Sequence, residues 1–259
     1  MSRKRRTAAD EPHIVVRSSI ADPARGGVIA DHVHDWHQLI HLSAGLMTVW
    51  TEEGTWVAPP GWAVWAPAGI RHSIRFIDAS AFRTLYLRPE AFEQASAHCT
   101  AVSISTLMRE LIVRTTEIGM LDPRDPVEQA LITLIRAEFH WSAMPGFNLR
   151  QPEDPRLRQA ASLIVANAPE AAGLPSLARA IGMTTRVFER RFSAETGLSP
   201  GRWRRHSALL VGLERIAAGA AVKAVAADAG YASSSAFIAA FHKAFGVTPS
   251  RFFAAPESR

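Results

Sequence analysis

The sequence contains a single cysteine, Cys99, among its 259 residues. One thiol cannot close an internal disulfide, which excludes a disulfide-stabilised secreted scaffold and leads us to expect a reducing, cytoplasmic location. No apolar run approaches the roughly 18 to 20 residues that a membrane-spanning helix needs. The basic start MSRKRRTAADEP is followed by no apolar segment, so we expect neither a secretory signal nor a membrane partner.

Charge is unevenly distributed along the chain. Residues 1–150 contain 15 Lys/Arg and 16 Asp/Glu, whereas residues 151–259 contain 14 and 8. An excess of positive charge in one domain is typical of a nucleic-acid binder, because neutralised phosphates release counterions. An arginine-rich surface without that function would have the same composition.

Short strand-like segments rich in Val, Ile, Thr and aromatic residues dominate the first 90 residues. They are LMTVWT (46–51), TWVA (55–58), WAVWAP (62–67), HSIRF (72–76) and FRTLYL (82–87). Tight turns at EEG and PPG separate some of them. Many short strands at close spacing predict a small barrel or sandwich.

After Pro89 the apolar residues recur at helical spacing. Two amphipathic helices are predicted, over 104–118 (Leu107, Leu111, Ile118) and 126–141 (Leu131, Leu134, Ile135, Phe139). They serve either core packing or a dimer interface. The Pro-rich polar stretch that follows predicts a linker, which divides the chain into a sensing domain (1–142), a linker (143–154) and a C-terminal domain (155–259).

An internal repeat dominates the C-terminal domain. FSAETGLSPGRW (192–203) matches FHKAFGVTPSRF (241–252) at an offset of 49 residues. Upstream, each copy predicts a helix, a turn at Gly182 or Gly230, and a second helix capped by Thr184 or Ser233. Two phenylalanines four residues apart place one side of each second helix in a core. This pattern predicts two helix-turn-helix motifs.

The doubled pattern resembles the signature of the AraC-type bacterial transcription regulators over residues 155–253. The resemblance implies an all-α domain in which a long helix, about 199–218, joins two helix-turn-helix subdomains, each with a recognition helix in a major groove. Double-stranded promoter or operator DNA is then the expected partner of a homodimer. The linking helix departs from the family, which usually has an arginine near Ala208 and an alanine at the position of Gly212.

The two recognition helices differ in their outward residues. In the first they are Thr185, Arg186, Glu189 and Arg190; arginine can read guanine, and glutamate can accept a hydrogen bond from cytosine. In the second they are Ser234, Ser235, Ala236 and Ala239, where the family commonly has an arginine in place of Ala239. We therefore expect most base readout from the first helix, with nearby arginines, Arg204 among them, on phosphates. The predicted DNA-binding residues are Thr185, Arg186, Glu189, Arg190, Arg191, Arg202, Arg205, Ser233, Ser234 and Ser235.

The N-terminal part resembles a cupin over residues 25–90. HVHDWHQLIHL (32–42) is similar to the first cupin motif with a glutamine in place of its glutamate, and GWAVWAPAGIRH (61–72) is similar to the second. The predicted fold is therefore two-domain α+β: a cupin-like β-barrel with helices, then an all-α double helix-turn-helix. The resemblance implies that a metal would be held by His32, His34, Gln38 and His72.

Four histidines lie within residues 32–42. Imidazole is a common ligand of zinc, nickel and iron, and His32 and His34 share a strand face, whereas His37 and His41 are expected to serve as outer-face or hydrogen-bonding residues. Five of the seven tryptophans lie between residues 36 and 65, and they suit either a core or an aromatic effector. The predicted effector-binding residues are His32, His34, Trp36, Gln38, Trp50, Trp65 and His72.

Four functions remain open for the histidine cluster: an organic effector site without metal, a divalent metal site, a catalytic oxygenase or isomerase, and a structural role. Because fold alone does not imply chemistry, we predict a DNA-binding transcription regulator, activator or repressor, controlled by a small-molecule effector, with a metal among the candidates. The alternative is a metal-dependent cupin enzyme with an appended DNA-binding domain.

Overall fold

The computed structural model describes residues 13–93, 96–139, 147–166, 173–246 and 248–252. By their contacts the residues form two compact units, one of 1–51 with 58–144 and the other of 52–57 with 145–259. The predicted domain limits at 142 and 155 stay a prediction. Within the described ranges, no helix is long and apolar enough to cross a membrane.

Short antiparallel strands make up most of the first unit, and all five strand segments predicted between residues 46 and 87 are strands. In chain order the strands are β1 (Val16–Ala21), β2 (Val28–His32), β3 (His37–Ala44), β4 (Met47–Thr51), β5 (Gly54–Ala58), β6 (Trp62–Ala66), β7 (His72–Phe76), β8 (Ala81–Leu87), β9 (Thr100–Ser103), β10 (Met120–Leu121) and β11 (Asn148–Arg150). One sheet has the order β10-β1-β8-β3-β6-β9. In a second sheet β7 pairs with both β4 and β2. The predicted β-rich N-terminal domain is confirmed.

Strand register separates the two faces of the six-stranded sheet. On β3, Leu39 lies opposite Trp65 and Leu85, whereas Gln38 lies opposite Ala66 and Tyr86. Since successive side chains alternate between faces, Leu39 and Trp65 point to one side and Gln38 to the other. The first side carries the apolar core and the second carries the histidine cluster.

Two helices cover the apolar face: α1 (Thr106–Ile118) and α2 (Pro126–Ala137). They bury Met108, Leu111, Ile112, Ile132 and Ile135 in one cluster with Leu39 and Trp65. The predicted stripes are only partly buried, because Leu107 and Leu134 remain 46% and 42% exposed. Residues 140–141, predicted as the end of the second helix, lie outside the described residues.

In the second unit β5 pairs with β11, with Trp56 opposite Asn148. The indole Nε1 of Trp203 donates to the Arg150 carbonyl at 2.9 Å, which attaches β11 to the helical part of the unit. Residues 148–150 are therefore a strand inside the segment predicted as a linker, a pairing that the Pro-rich composition conceals. Residues 143–146 of that segment lie outside the described residues.

The described residues after β11 form the helices α3 (Pro155–Ala166), α4 (Leu174–Ala180), α5 (Thr185–Thr196), α6 (Pro200–Ala217), α7 (Val222–Asp228), α8 (Ser234–Phe245) and α9 (Pro249–Phe252). Pairs α4–α5 and α7–α8 are helix-turn-helix motifs, and α6 joins them. The predicted double helix-turn-helix and its linking helix are confirmed.

Local sequence explains both motifs. The Thr184 hydroxyl accepts from the Val187 N–H at the start of α5, and the Ser233 hydroxyl accepts from the Ala236 N–H at the start of α8, as predicted. The preceding turns pass through Gly182 at φ 68° and Gly230 at φ 77°, where a side chain would be strained.

Candidate functional site

Three histidines of the first unit converge on one glutamine. His32 ends β2 and lies opposite His72 at the start of β7, and the bulge between Ile29 and His32 shifts the register there. The His32 and His72 ring centroids are 4.3 Å apart, and the His34 ring is 5.0 Å from His72. One ring nitrogen from each of the three histidines lies within 4.8 Å of the others. The structure thus brings together the four residues predicted as a metal set; that they bind a metal stays a prediction.

Each of these histidines has its Nδ1 atom next to a backbone carbonyl. The distances are 2.8 Å from His32 to the Ala30 oxygen, 2.6 Å from His34 to the Trp36 oxygen, and 2.9 Å from His72 to the Ile70 oxygen. Such contacts fix ring orientation and leave Nε2 directed into the cluster.

Gln38 lies at the centre of the cluster and is 1% exposed. Its Oε1 atom is 2.9 Å from the Nε2 atoms of both His34 and His72. Its Nε2 donates to Thr84 Oγ1 at 3.0 Å, and the Thr84 hydroxyl donates to the Leu39 carbonyl at 3.0 Å. Thr84, which sequence reasoning missed, therefore sets the orientation of the amide. Its only sequence signal is its place on the same face of β8 as Tyr86.

Burial, with smaller contributions from the neighbouring His32 and His34, lowers the pKa of His72 to about 4. A buried cation beside two other imidazoles is unfavourable, so His72 is neutral near neutral pH. Burial also raises the pKa of Tyr86, whose ring meets His34 edge-on at 5.2 Å. His72 and Tyr86 are therefore both uncharged near neutral pH.

Of the three predicted effector-site tryptophans, only Trp36 lies beside the cluster. Trp36 and His34 line the same cavity. Trp65 is fully buried on the opposite face of its sheet, where it packs against Phe139 below the helices. Trp50 lies opposite Ser73 on β7, one residue out of phase with buried His72 and Ile74, so it points to the outer side. Strand parity, which composition does not reveal, places Trp50 and Trp65 away from the cluster.

The other two histidines have structural contacts, as the sequence suggested. His37 Nδ1 accepts from the Ala68 N–H at 3.0 Å. His41 is buried with Nδ1 3.1 Å from the Trp62 carbonyl, and burial lowers its pKa to about 4. Neither belongs to the three-histidine group.

The candidate DNA interface lies in the second unit. On α5, Arg186, Glu189 and Arg190 are exposed and Thr185 is half-buried, while Phe188 and Phe192 are fully buried on the other side. Arg202 and Arg205, near the start of α6, are exposed as well. An exposed row of arginines beside a helix held rigidly by its buried face suits contacts to DNA.

Arg191 differs from the other predicted contacts. Its guanidinium pairs with Asp154 at 2.8 Å and lies 3.8 Å from Glu195. Sequence reasoning placed it on phosphate because Asp154, distant in the chain, gave no signal. Its pairing makes Arg191 a link between α5 and the segment before α3.

On α8 the predicted DNA-binding face has few exposed groups that could contact DNA. Ser233 uses its hydroxyl as the helix cap, Ser234 is half-buried, and Ser235 and Ala239 are exposed. The structure therefore presents the predicted serines near the start of α8, but it offers no exposed arginine on the described part of this helix.

Comparisons with known proteins agree with both halves. The family model for the AraC-like ligand binding domain matches residues 19–119, and a helix-turn-helix domain matches residues 177–255. The chain is 31% identical over 223 residues to the HTH-type transcriptional regulator NimR of Escherichia coli, which covers 86% of this chain and 81% of that relative. It is 30% identical over 101 residues to the HTH-type transcriptional regulator RipA of Corynebacterium glutamicum, covering 39% of this chain and 30% of RipA.

A solved structure of ToxT from Vibrio cholerae aligns over 94% of this chain and 100% of its own, with a TM-score of 0.41 and 8% identity. The relatives named above are transcriptional regulators, which confirms the prediction of a regulator rather than an enzyme. The cupin likeness stays a resemblance. With a ligand-binding domain followed by a helix-turn-helix domain, this chain belongs to the AraC-type transcriptional regulators.

Proposed function

We propose that a divalent metal held by His32, His34, His72 and Gln38 forms part of the effector site of this regulator, and that the protein controls its operator as a homodimer in the cytoplasm. The proposal depends on one observation. With neutral imidazoles, no hydrogen atom is left to bridge the histidine Nε2 atoms and the Gln38 oxygen. Zinc, nickel and iron all accept such ligands.

In each of the three imidazoles the N–H hydrogen is on Nδ1. A backbone carbonyl can only accept, so the Nδ1 atoms facing the carbonyls of Ala30, Trp36 and Ile70 each carry the hydrogen. A neutral imidazole has one N–H, and its Nε2 is then a bare lone pair. All three Nε2 lone pairs are therefore free to bind a cation.

The Gln38 oxygen adds a fourth acceptor. The Thr84 hydroxyl donates its hydrogen to the Leu39 carbonyl, so it can only accept from the Gln38 amide nitrogen. This contact fixes the amide with its Oε1 toward His34 and His72. Lone pairs then face each other at 2.9 Å on both sides. Protonating both rings would place two cations in a site where burial lowers the pKa of His72 to about 4. A metal cation satisfies every acceptor at once, and it would supply the positive charge that binds or polarises an effector.

Metal content tests the proposal directly. The full chain is stripped with a chelator and dialysed separately against Zn²⁺, Ni²⁺ and Fe²⁺, and bound metal is measured by mass spectrometry. We expect about one ion per chain for at least one metal, and its loss in His34→Ala and His72→Ala. His98→Ala removes an exposed histidine elsewhere and should leave the content unchanged. Equal metal content in all the variants would refute the site.

Gln38→Glu sharpens the test. A carboxylate is a stronger ligand than an amide, so this variant should hold the metal more tightly in a competition with chelator. Affinity for the protein's own upstream DNA, measured with and without metal, then shows whether the metal takes part in sensing. An unchanged DNA affinity would leave the metal a structural ion.

Exposed apolar residues on α1 and α2 support the homodimer. Leu107, Val127 and Leu134 are 46%, 63% and 42% exposed, and Val127 and Leu134 are seven residues apart on one face of α2. Covering them with a second copy would remove apolar area from water. Sedimentation of the wild type should give a dimer and that of Leu134→Glu a monomer, while a monomeric wild type would contradict this part of the proposal.

A further inference from the structure

A cavity of about 500 Å³ lies beside the histidine cluster in the first unit, a volume within the range of small-molecule sites. Its walls are β1, the Trp36 and Tyr86 rings, and the last turn of α1 at residues 116–119. His34 belongs to both the cavity and the cluster. A molecule in the cavity would therefore touch the cluster and a helix end together.

Arg17 is the unusual group in this cavity. Its guanidinium lies 4.2 Å from the centre of the Trp36 ring, and Arg88 approaches the same ring at 5.1 Å. The Arg17 Nε is buried without a hydrogen-bond partner. Burial lowers the pKa of Arg17, and Arg88 lowers it further. Arg17 as a whole is half-buried, and among the described residues no carboxylate forms an ion pair with it.

The acidic residues lining the cavity are engaged elsewhere. Glu117 pairs with Arg114 at 2.8 Å. The Glu128 carboxylate accepts from the Asp122 N–H at 2.7 Å. Arg88 directs its Nε to the Ile14 carbonyl at 2.8 Å. The cavity thus contains the Arg17 guanidinium, for which the described residues supply no anionic partner.

We infer that this cavity binds an aromatic monocarboxylate, with the carboxylate on Arg17 and the ring against the aromatic wall. Arginine and carboxylate form paired, charge-assisted hydrogen bonds, and a carboxylate in the cavity would supply the anionic partner that Arg17 lacks among the described residues. The rings of Trp36, Tyr86 and His34 offer flat surfaces for an aromatic group. This inference rests on the effector-sensing role of the first unit, but it does not require the metal.

The last turn of α1 connects the cavity to the helices. The Ser18 hydroxyl on β1 donates to the carbonyls of Thr115 and Gly119, which ties this strand to the end of α1. A ligand on Arg17, the preceding residue of β1, would lie next to that junction. The same helix carries exposed Leu107, so occupancy of the cavity has a short route to the proposed dimer surface.

Paired acids and amides test the inference. Benzoate and 1-naphthoate are compared with benzamide and 1-naphthamide on the full chain, by calorimetry and by the shift in melting temperature. We expect at least one acid to bind more than tenfold more tightly than its amide. Arg17→Gln should weaken that acid roughly ten- to hundredfold and leave amide binding unchanged, because hydrogen bonds to a charged group are lost. Arg83→Gln, which removes an arginine paired with Asp22 on the neighbouring strand, is the matched control.

The comparison of acids with amides on the wild-type chain does not depend on the folding of any variant. If neither acid binds better than its amide, or if Arg17→Gln binds the acid as tightly as wild type, the inference is overturned. Metal content separates the two proposals: a wild-type chain that takes up metal but shows no preference for the acid refutes only the carboxylate site. Acid binding through Arg17 in a chain that takes up no metal removes only the metal site.

Discussion

The two helix-turn-helix motifs of this regulator share one backbone plan and differ in the chemistry they expose. Helices α5 and α8 are both 12 residues long, begin at a hydroxyl cap, and end at a left-handed glycine with φ 75°. Arg186 and Arg190 on α5 occupy the repeat positions of Ser235 and Ala239 on α8. Buried and capping residues therefore determine the shared shape, whereas the exposed residues are free to diverge.

The largest effect is expected where the two motifs are alike. Phe188→Ala and Phe237→Ala each empty a fully buried site, so each should lower the free energy of unfolding by about 3 to 5 kcal/mol. Chemical denaturation followed by circular dichroism measures both. Val211→Ala, at a 46% exposed position on α6, is the control. A phenylalanine substitution no costlier than the control would mean that the motifs do not depend on the same core.

Gly212 on α6 packs closely against the second helix-turn-helix motif. A Cβ atom there would lie 3.0 Å from Val225 and 3.1 Å from the Phe237 ring, tighter than ordinary contact. Gly212→Ala should therefore destabilise the second motif by about 1 to 3 kcal/mol, despite the better helix propensity of alanine. Stabilisation in the same denaturation experiment would show that Phe237 can move aside.

Substitutions on the exposed faces of α5 and α8 should change the DNA affinity by different amounts. Arg190→Ala is expected to weaken binding to the protein's own upstream DNA by about 1 to 3 kcal/mol, because a guanidinium contact is lost. Ser235→Ala should cost less, and Ala239→Arg should tighten binding. Titrations at several salt concentrations measure all three. Equal losses for Arg190→Ala and Ser235→Ala would show that both motifs read DNA alike.

The smallest difference concerns the caps. Thr184→Ala and Ser233→Ala each remove one side-chain acceptor for a backbone N–H, and each should cost about 1 kcal/mol of stability. The cost should be similar in both motifs, since each hydroxyl accepts from the N–H three residues further along its helix. If Ser233→Ala also weakened DNA binding more than Thr184→Ala, the Ser233 hydroxyl would have a second role on DNA.

Sequence patterns predicted the C-terminal half better than the N-terminal site. The caps, the glycine turns and the phenylalanine pairs are local features. The roles of Thr184, Gly182 and Phe188 could therefore be predicted from their spacing alone. The ion pair of Arg191 with Asp154 had no such local signal, because the two residues lie far apart in sequence.

The histidine site of the first unit depends on long-range strand register. His32, His34, Gln38 and His72 were identified through a resemblance, but the role of Thr84 depends on which face of β8 meets β3. Arg17 gave no signal, because one arginine in a strand has no pattern to mark it. Trp50 and Trp65 were assigned from composition, which carries no information on the face of a strand.

Cys99 is buried, with 7% of its surface exposed. A buried thiol in apolar surroundings reacts slowly, because the reactive thiolate is disfavoured there. Any single cysteine introduced on the surface, such as Ser235→Cys, would therefore be the main target of a thiol-directed probe. The wild-type chain is thus a ready background for site-directed spin labelling.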